Sequence, residues 1–237
     1  MSKWIFALVG LAISCFAQGS LDSANWKDRA AAFRSITAVT AQDQQRIIAL
    51  LDRENRVVTD ALTASGGKRG VSTTLGEEYS EYYSTVLSKV AEFATSGNDA
   101  AVPTLAGGAY NEDSKVGSLL VTKWRITLPL YAQSSAQAGV RQAHSLQMIG
   151  LILGAHRSEM AADQVNLAET RLTNALSSQS SAVRIAAIRS SVQAGSTRGL
   201  ETIKRLAAED NAKSKSGKQI RFPVREEAAK AVPQLQR

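Results

Sequence analysis

Ser180-Ser181-Ala182-Val183-Arg184-Ile185-Ala186-Ala187-Ile188 opens one stretch near the C-terminus, and Phe222-Pro223-Val224-Arg225-Glu226-Glu227-Ala228-Ala229-Lys230-Ala231-Val232 opens another. Val183 and Val224 stand 41 residues apart, as do Arg184 and Arg225. A shared Val-Arg-x-x-Ala head, followed by apolar residues at helical spacing, points to stacked helical repeats rather than one irregular globule. Such a stack makes a surface and does not by itself make a reaction.

The pattern continues outward. Val140-Arg141-Gln142-Ala143 lies 43 residues before Val183 and heads an apolar run with Leu146, Ile149, Leu151, Ile152 and Leu153, predicting a helix over 138–155. Its partner is predicted over 158–176, on Val165, Leu167, Leu172 and Leu176. Helices over 180–194 and 197–208 form the best-defined pair, with Gly195 suited to the left-handed position after the first. A polar, lysine-rich insert follows over 210–219, and a last helix starts at Pro223 as its first-turn residue. Trp26-Lys27-x-x-Ala30 is a looser version of the same head. Over 43–62, Ile47, Leu50, Leu51, Val58 and Leu62 recur at helical spacing. Over 77–94, Tyr79, Tyr83, Val86, Val90 and Phe93 step by four and three along one face, with Glu77, Glu81, Ser84, Ser88 and Glu92 opposite. Asp99 is expected to cap a short helix over 100–105. Segments 113–121 and 123–132 read either as two short helices or as one kinked at Pro129. No segment reads as a strand.

Composition agrees with a folded, helical chain of 237 residues: 44% hydrophobic, 21% charged, 5% aromatic and four prolines. The net charge of +7 fits either a solvated basic surface or electrostatic docking to an acidic protein, a lipid headgroup or an envelope polymer. At the N-terminus Lys3 precedes a nearly unbroken apolar run over 4–16, and polar residues resume at Gln18. These are the parts of a secretory signal peptide over 1–17, with cleavage expected after Ala17. The run is too short for a comfortable membrane span, and the competing reading is a buried N-terminal helix. Cleavage would remove Lys3, leave +6, and take away Cys15, the single cysteine, so the mature chain over 18–237 would hold no disulfide. Ala12-Ile13-Ser14-Cys15 also approaches a bacterial lipoprotein box, which keeps lipid anchoring or peripheral membrane association as an alternative. The compartment expected is the bacterial periplasm or the exterior.

The segment Ser181-Ala182-Val183-Arg184-x-x-Ala187-Ile188, then Gly195, then Leu200-x-x-Ile203-x-x-Leu206-Ala207, resembles one HEAT repeat. Pro223-Val224-Arg225-x-x-Ala228-x-x-Ala231-Val232 resembles the start of the next. The likeness is clearest over 138–176, 180–210 and 222–237. It departs from the family where Ser180-Ser181 and Phe222-Pro223 replace the usual Asp or Asp-Pro, and where the 210–219 insert stretches the period. The resemblance implies a right-handed α-solenoid of antiparallel helix pairs and a protein-binding or scaffolding role without catalysis. Stacking supports it physically, because each pair has an apolar stripe that only a neighbour can bury. Ala186, Ala187, Ala228 and Ala229 are small enough for close helix approach. The alternative architecture is a compact multi-helix bundle.

Sites for chemistry are sparse. His144 and His156 lie twelve residues apart, roughly 18 Å along one helix, so they cannot share a metal. No zinc cluster, phosphate loop, nucleophile elbow or dinucleotide fingerprint is present, and no cofactor is expected. Glu77, Glu78 and Glu81 beside three tyrosines give the alternative of a cell-envelope glycan-active enzyme working with paired carboxylates. Lys68 and Arg69, with Lys213, Lys215, Lys218, Arg221 and Arg225, form the candidate binding loops for an acidic protein partner. They lack the aromatic interleaving of a nucleic-acid platform.

Overall fold

The computed structural model describes residues 21–66, 70–108, 114–216 and 219–237. The signal segment with Cys15 lies outside the described residues, as do Lys68, Arg69 and Lys218. The fold is all-helical apart from one short hairpin, and the chain divides into two compact units, Met1–Gly108 and Ala109–Arg237.

In the first unit α1 (Trp26–Ser35), α2 (Ala41–Ala64), α3 (Val71–Leu75), α4 (Glu77–Thr95) and α5 (Ala101–Ala106) follow in order. Asn25 caps α1 by accepting from the Lys27 amide at 3.0 Å. Helix α2 begins before the expected Asp43 because Thr40 and Asp43 close a capping box. The Asp43 amide donates to Thr40 Oγ1 at 3.2 Å and the Thr40 amide to Asp43 Oδ2 at 3.0 Å. Ile47, Leu50, Leu51, Val58 and Leu62 are all buried, as their spacing predicts. Helix α4 is the hub, packing on α1, α2, α3 and α5. Its five-residue ladder from Tyr79 to Phe93 faces the core and its glutamates face out. Tyr82 and Leu87 are buried as well, so the apolar stripe is wider than the ladder. Asp99 is not the cap of α5: Ala100 holds that position, with no side-chain cap bond.

The second unit contains α6 (Ser114–Thr122), α7 (Trp124–Ser135), α8 (Gln142–His156), a 3₁₀ turn (Arg157–Glu159), α9 (Ala162–Ala175), α10 (Ser181–Gln193), α11 (Leu200–Glu209), β1 (Ser214–Ser216), β2 (Gln219–Arg221) and α12 (Pro223–Leu235). Segments 113–121 and 123–132 are two helices, and the break is at Lys123 rather than Pro129, which sits inside α7. Thr127 Oγ1 donates to the Leu120 carbonyl at 2.8 Å across that break. Helix α8 starts at Gln142, so Val140-Arg141 precede it, whereas Val183-Arg184 and Val224-Arg225 lie in the first turns of α10 and α12. Gly195 takes φ +60° after α10, as expected. The Gly195 amide reaches the Val192 carbonyl at 3.0 Å and the Ser196 amide the Ser191 carbonyl at 2.9 Å, closing the helix end. Two expectations fail here: Leu167 is 39% exposed and Ala229 is exposed, so neither belongs to the core. The insert after α11 is also not featureless. Its residues form an antiparallel hairpin pairing Ser214 with Arg221, Lys215 with Ile220 and Ser216 with Gln219.

In this unit α8 lies against α6, α7, α9 and α10, α9 also against α7 and α10, α10 against α12, and α11 against α12. The α8–α10 seam is close. A Cβ on Gly150 would stand 2.7 Å from Ser190 Cα, and one on Gly154 would stand 2.6 Å from the Gln193 carbonyl oxygen. These two glycines are what let the backbones meet, since any side chain would collide with main-chain atoms. Leu146, Ile149, Ile152, Leu153, Leu172, Ala187, Ile188, Ile203 and Val224 fill the core around the seam.

Candidate functional site

In the first unit the tyrosines of α4 do not turn toward the glutamates of their own helix. Glu77, Glu78 and Glu81 are exposed, and Glu78 pairs loosely with Lys27 at 3.5 Å. Tyr79 and Tyr82 instead donate to Glu54 on α2, at 2.6 Å to Oε2 and 3.1 Å to Oε1. Arg29 of α1 completes the set, with Nε 2.5 Å from Oε1 and Nη2 3.0 Å from Oε2. Glu54 is 0% exposed and Arg29 2%. Nη1 of Arg29 donates to the carbonyls of Ser23 and Ala24, both at 2.9 Å. Trp26 covers the cluster, stacked on Tyr82 and edge-on to Tyr79. Burial and the neighbouring Glu54 carboxylate push both tyrosine hydroxyls well above their ordinary range, which keeps them protonated donors. Each carboxylate oxygen thus has two donors. The acid is saturated by its neighbours and closed to solvent, the arrangement of a structural ion pair. Glu54 escaped the sequence reading although the signal was there: it stands three residues after Leu51 and four before Val58, on the apolar stripe of α2. Next to it, Asn55 accepts from Tyr83 at 2.7 Å and donates to the Thr104 carbonyl at 2.8 Å, tying α2 to α4 and α5.

In the second unit the repeated arginines converge. Arg184 Nη2 donates to Asp210 Oδ1 at 3.1 Å and its Nε lies 2.7 Å from Oδ2. Arg225 Nε donates to the Asp210 carbonyl at 2.6 Å and Nη2 to Asn211 Oδ1 at 3.2 Å. Two cations approach the Phe222 ring, the Arg225 guanidinium 4.6 Å and Lys213 Nζ 5.9 Å from its centre. Arg221 pairs with Glu226, which holds the glutamate below the usual carboxylate range. The hairpin therefore brings Lys213, Arg221 and Arg225 to one end of α12 and anchors each on a local partner. Lys215 stands in β1 opposite Ile220, which is 62% exposed.

The two histidines line one groove of about 840 Å³ along α8, near its opposite ends. His156 stacks on Trp124, and its Nδ1 lies 2.9 Å from Glu159 Oε1. His144 meets the Tyr131 ring edge-on, and burial, aided by the charge of Arg141, lowers its pKa to about 4. It is a neutral imidazole at pH 7. Among the described residues no three of His, Cys, Asp or Glu come together as a metal site, and no helix is long and apolar enough to cross a membrane. No known protein family and no curated protein matches this chain.

Proposed function

We propose that this chain is an exported protein-binding module, a HEAT-like α-solenoid that presents a helical surface to a partner protein in the periplasm or outside the cell. The observation that carries the reading is the packing of α8 on α10 and α10 on α12, with a Val-Arg head in the first turn of both α10 and α12. Val183 and Val224 are both buried, and Arg184 and Arg225 both bind Asp210. Arg184 reaches ahead to the Asp210 carboxylate and Arg225 back to its main-chain carbonyl, so the two heads meet at the junction between successive helix pairs. Lys3 and the apolar run after it support export.

Binding specificity belongs to the exposed helix faces and to the basic hairpin. Among its described side chains Lys213 and Arg221 are exposed cations, and an acidic partner would compete with Glu226 for Arg221. Crosslinked affinity capture from the native host tests the role. A partner recovered by the parent protein and weakened by Lys213→Glu with Arg221→Glu is expected. Failure to recover any protein above background would sink the scaffold. N-terminal sequencing of the exported protein should begin at Gln18, and Cys15→Ser should leave its membrane association unchanged.

A further inference from the structure

The basic charge of this chain is concentrated in one place. Residues 211–225 hold Lys213, Lys215, Lys218, Arg221 and Arg225 and no acid, so this stretch carries +5 of the chain's net +7. Of the acids that flank it, Asp210 is met by Arg184, Glu226 by Arg221 and Glu227 by Arg189, while Glu209 is exposed at the end of α11. Arg225 donates to the Asp210 carbonyl and to Asn211 Oδ1, neutral oxygens that leave its charge uncancelled. The fold sets an apolar residue into this charge. Ile220 is 62% exposed in β2, next to Arg221 and paired in register with Lys215. By itself the hairpin is too small to hold a folded protein. Three extended residues span about 10 Å and paired strands lie about 4.8 Å apart, so its face is on the order of 100 Å². Each side of a standard protein interface buries roughly 800 Å². Short edges and a lysine in β1 also guard against the addition of a further strand. A bilayer of anionic lipid sets neither demand. Its surface attracts each cation without a fixed pairing geometry, and the boundary below the headgroups takes an apolar side chain without a preformed pocket.

We infer that the hairpin docks this protein peripherally on a membrane surface rich in anionic phospholipid. Ile220 enters the headgroup region, and Lys213 and Arg221, both exposed, meet the lipid phosphates around it. The inference goes beyond the protein-binding reading and does not rest on it, since the helix faces take no part in the docking.

The test is cosedimentation of the chain from residue 18 onward with vesicles of phosphatidylglycerol and phosphatidylcholine, against vesicles of phosphatidylcholine alone. Saturable binding at least tenfold tighter to the anionic vesicles is expected, falling tenfold or more between about 0.05 M and about 0.5 M salt. Ile220→Ser should weaken it threefold or more, and Lys213→Glu with Arg221→Glu tenfold or more. All three side chains are exposed, so both variants should keep the parent's melting temperature. Arg34→Glu with Arg56→Glu, at two exposed positions of the first unit, changes the net charge equally and should leave binding within threefold. Equal binding to the two kinds of vesicle, equal losses in the two double variants, or full affinity in Ile220→Ser would each overturn the assignment. Partner capture keeps the two readings apart. An acidic protein lost from Lys213→Glu with Arg221→Glu, while that variant binds vesicles as the parent does, gives the hairpin to the protein and removes the membrane. Vesicle binding as expected, with nothing captured by the parent, removes the scaffold and leaves the docking in place.

Discussion

Arg29 in the first unit and Arg184 in the second make closely similar sets of contacts in different surroundings. Each donates from Nη1 to the carbonyls five and six residues behind it, Ser23 and Ala24 for one, Ser178 and Gln179 for the other. Each meets a carboxylate far ahead in sequence, Glu54 at 25 residues and Asp210 at 26. The first clasp is sealed: its side chains are 3% and 0% exposed, and two tyrosine hydroxyls occupy what remains of the carboxylate. The second sits at a rim, with side chains 12% and 6% exposed, and Asp210 also serves the Ala212 amide and, through its carbonyl, Arg225. One local device, an arginine tying the loop before its helix to a later acid, thus serves as a core element in one unit and as a junction between successive helices in the other. The sealed version stakes more on each partner, because an orphaned charge there has no water to turn to.

This contrast can be broken by substitution in the chain from residue 18 onward, which holds one tryptophan per unit, Trp26 in the first and Trp124 in the second. The largest effect is expected from Glu54→Gln, which strands Arg29 in the core. Urea unfolding followed at Trp26 should lose about 3–5 kcal/mol, and a loss below about 1 kcal/mol would show that the clasp is not the keystone of the unit. Next is a pH effect in the second unit. His144 has a folded value of about 4 against an ordinary 6.5, so the unfolded chain binds its proton first. The stability this contributes is complete above pH 6.5 and drains away as pH falls toward 4, by as much as about 3 kcal/mol. His144→Gln should flatten the Trp124 transition across that window; an unchanged slope would assign the loss to another group. Asp210→Asn should cost about 2 kcal/mol at Trp124, less than Glu54→Gln because water reaches the rim and one amide oxygen still accepts. A cost matching that of Glu54→Gln would erase the distinction between the two clasps. The smallest effect belongs to Thr40→Ala, about 1 kcal/mol at Trp26. Hydrogen bonds from the Thr40 hydroxyl and amide hold Asp43 below the usual carboxylate range. Their contribution is present above the unfolded value and lost as pH falls through the folded one, so the variant should also lose part of the acid limb.

What the sequence disclosed follows from how local the cause is. The α4 ladder was legible because helical period and burial coincide along one continuous segment, and Gly195 because a left-handed residue after α10 is a demand of its own turn. The break at Lys123 was half legible: Pro129 drew attention, yet a proline is tolerated inside α7, and the chain turns where Thr127 can reach the Leu120 carbonyl. The hairpin was hidden because its strand residues, Ile220 excepted, are polar and pair with each other across only three positions. Glu54 was visible as a charge on an apolar stripe, but its partners come from α1 and α4, and no spacing rule connects them. For the site, the sequence singled out the cations of the hairpin but not their anchors, Asp210, Asn211 and Phe222. It named both histidines without showing that they share a groove.

Gly150 and Gly154 have a consequence beyond close approach. Gly154 also lines the groove, so that stretch of wall rests on main chain laid directly against main chain. Main-chain contact of this kind has no rotamers to reshuffle, and the channel is already shaped on that side. That wall keeps its shape for as long as α8 and α10 stay packed, whatever happens on the opposite bank.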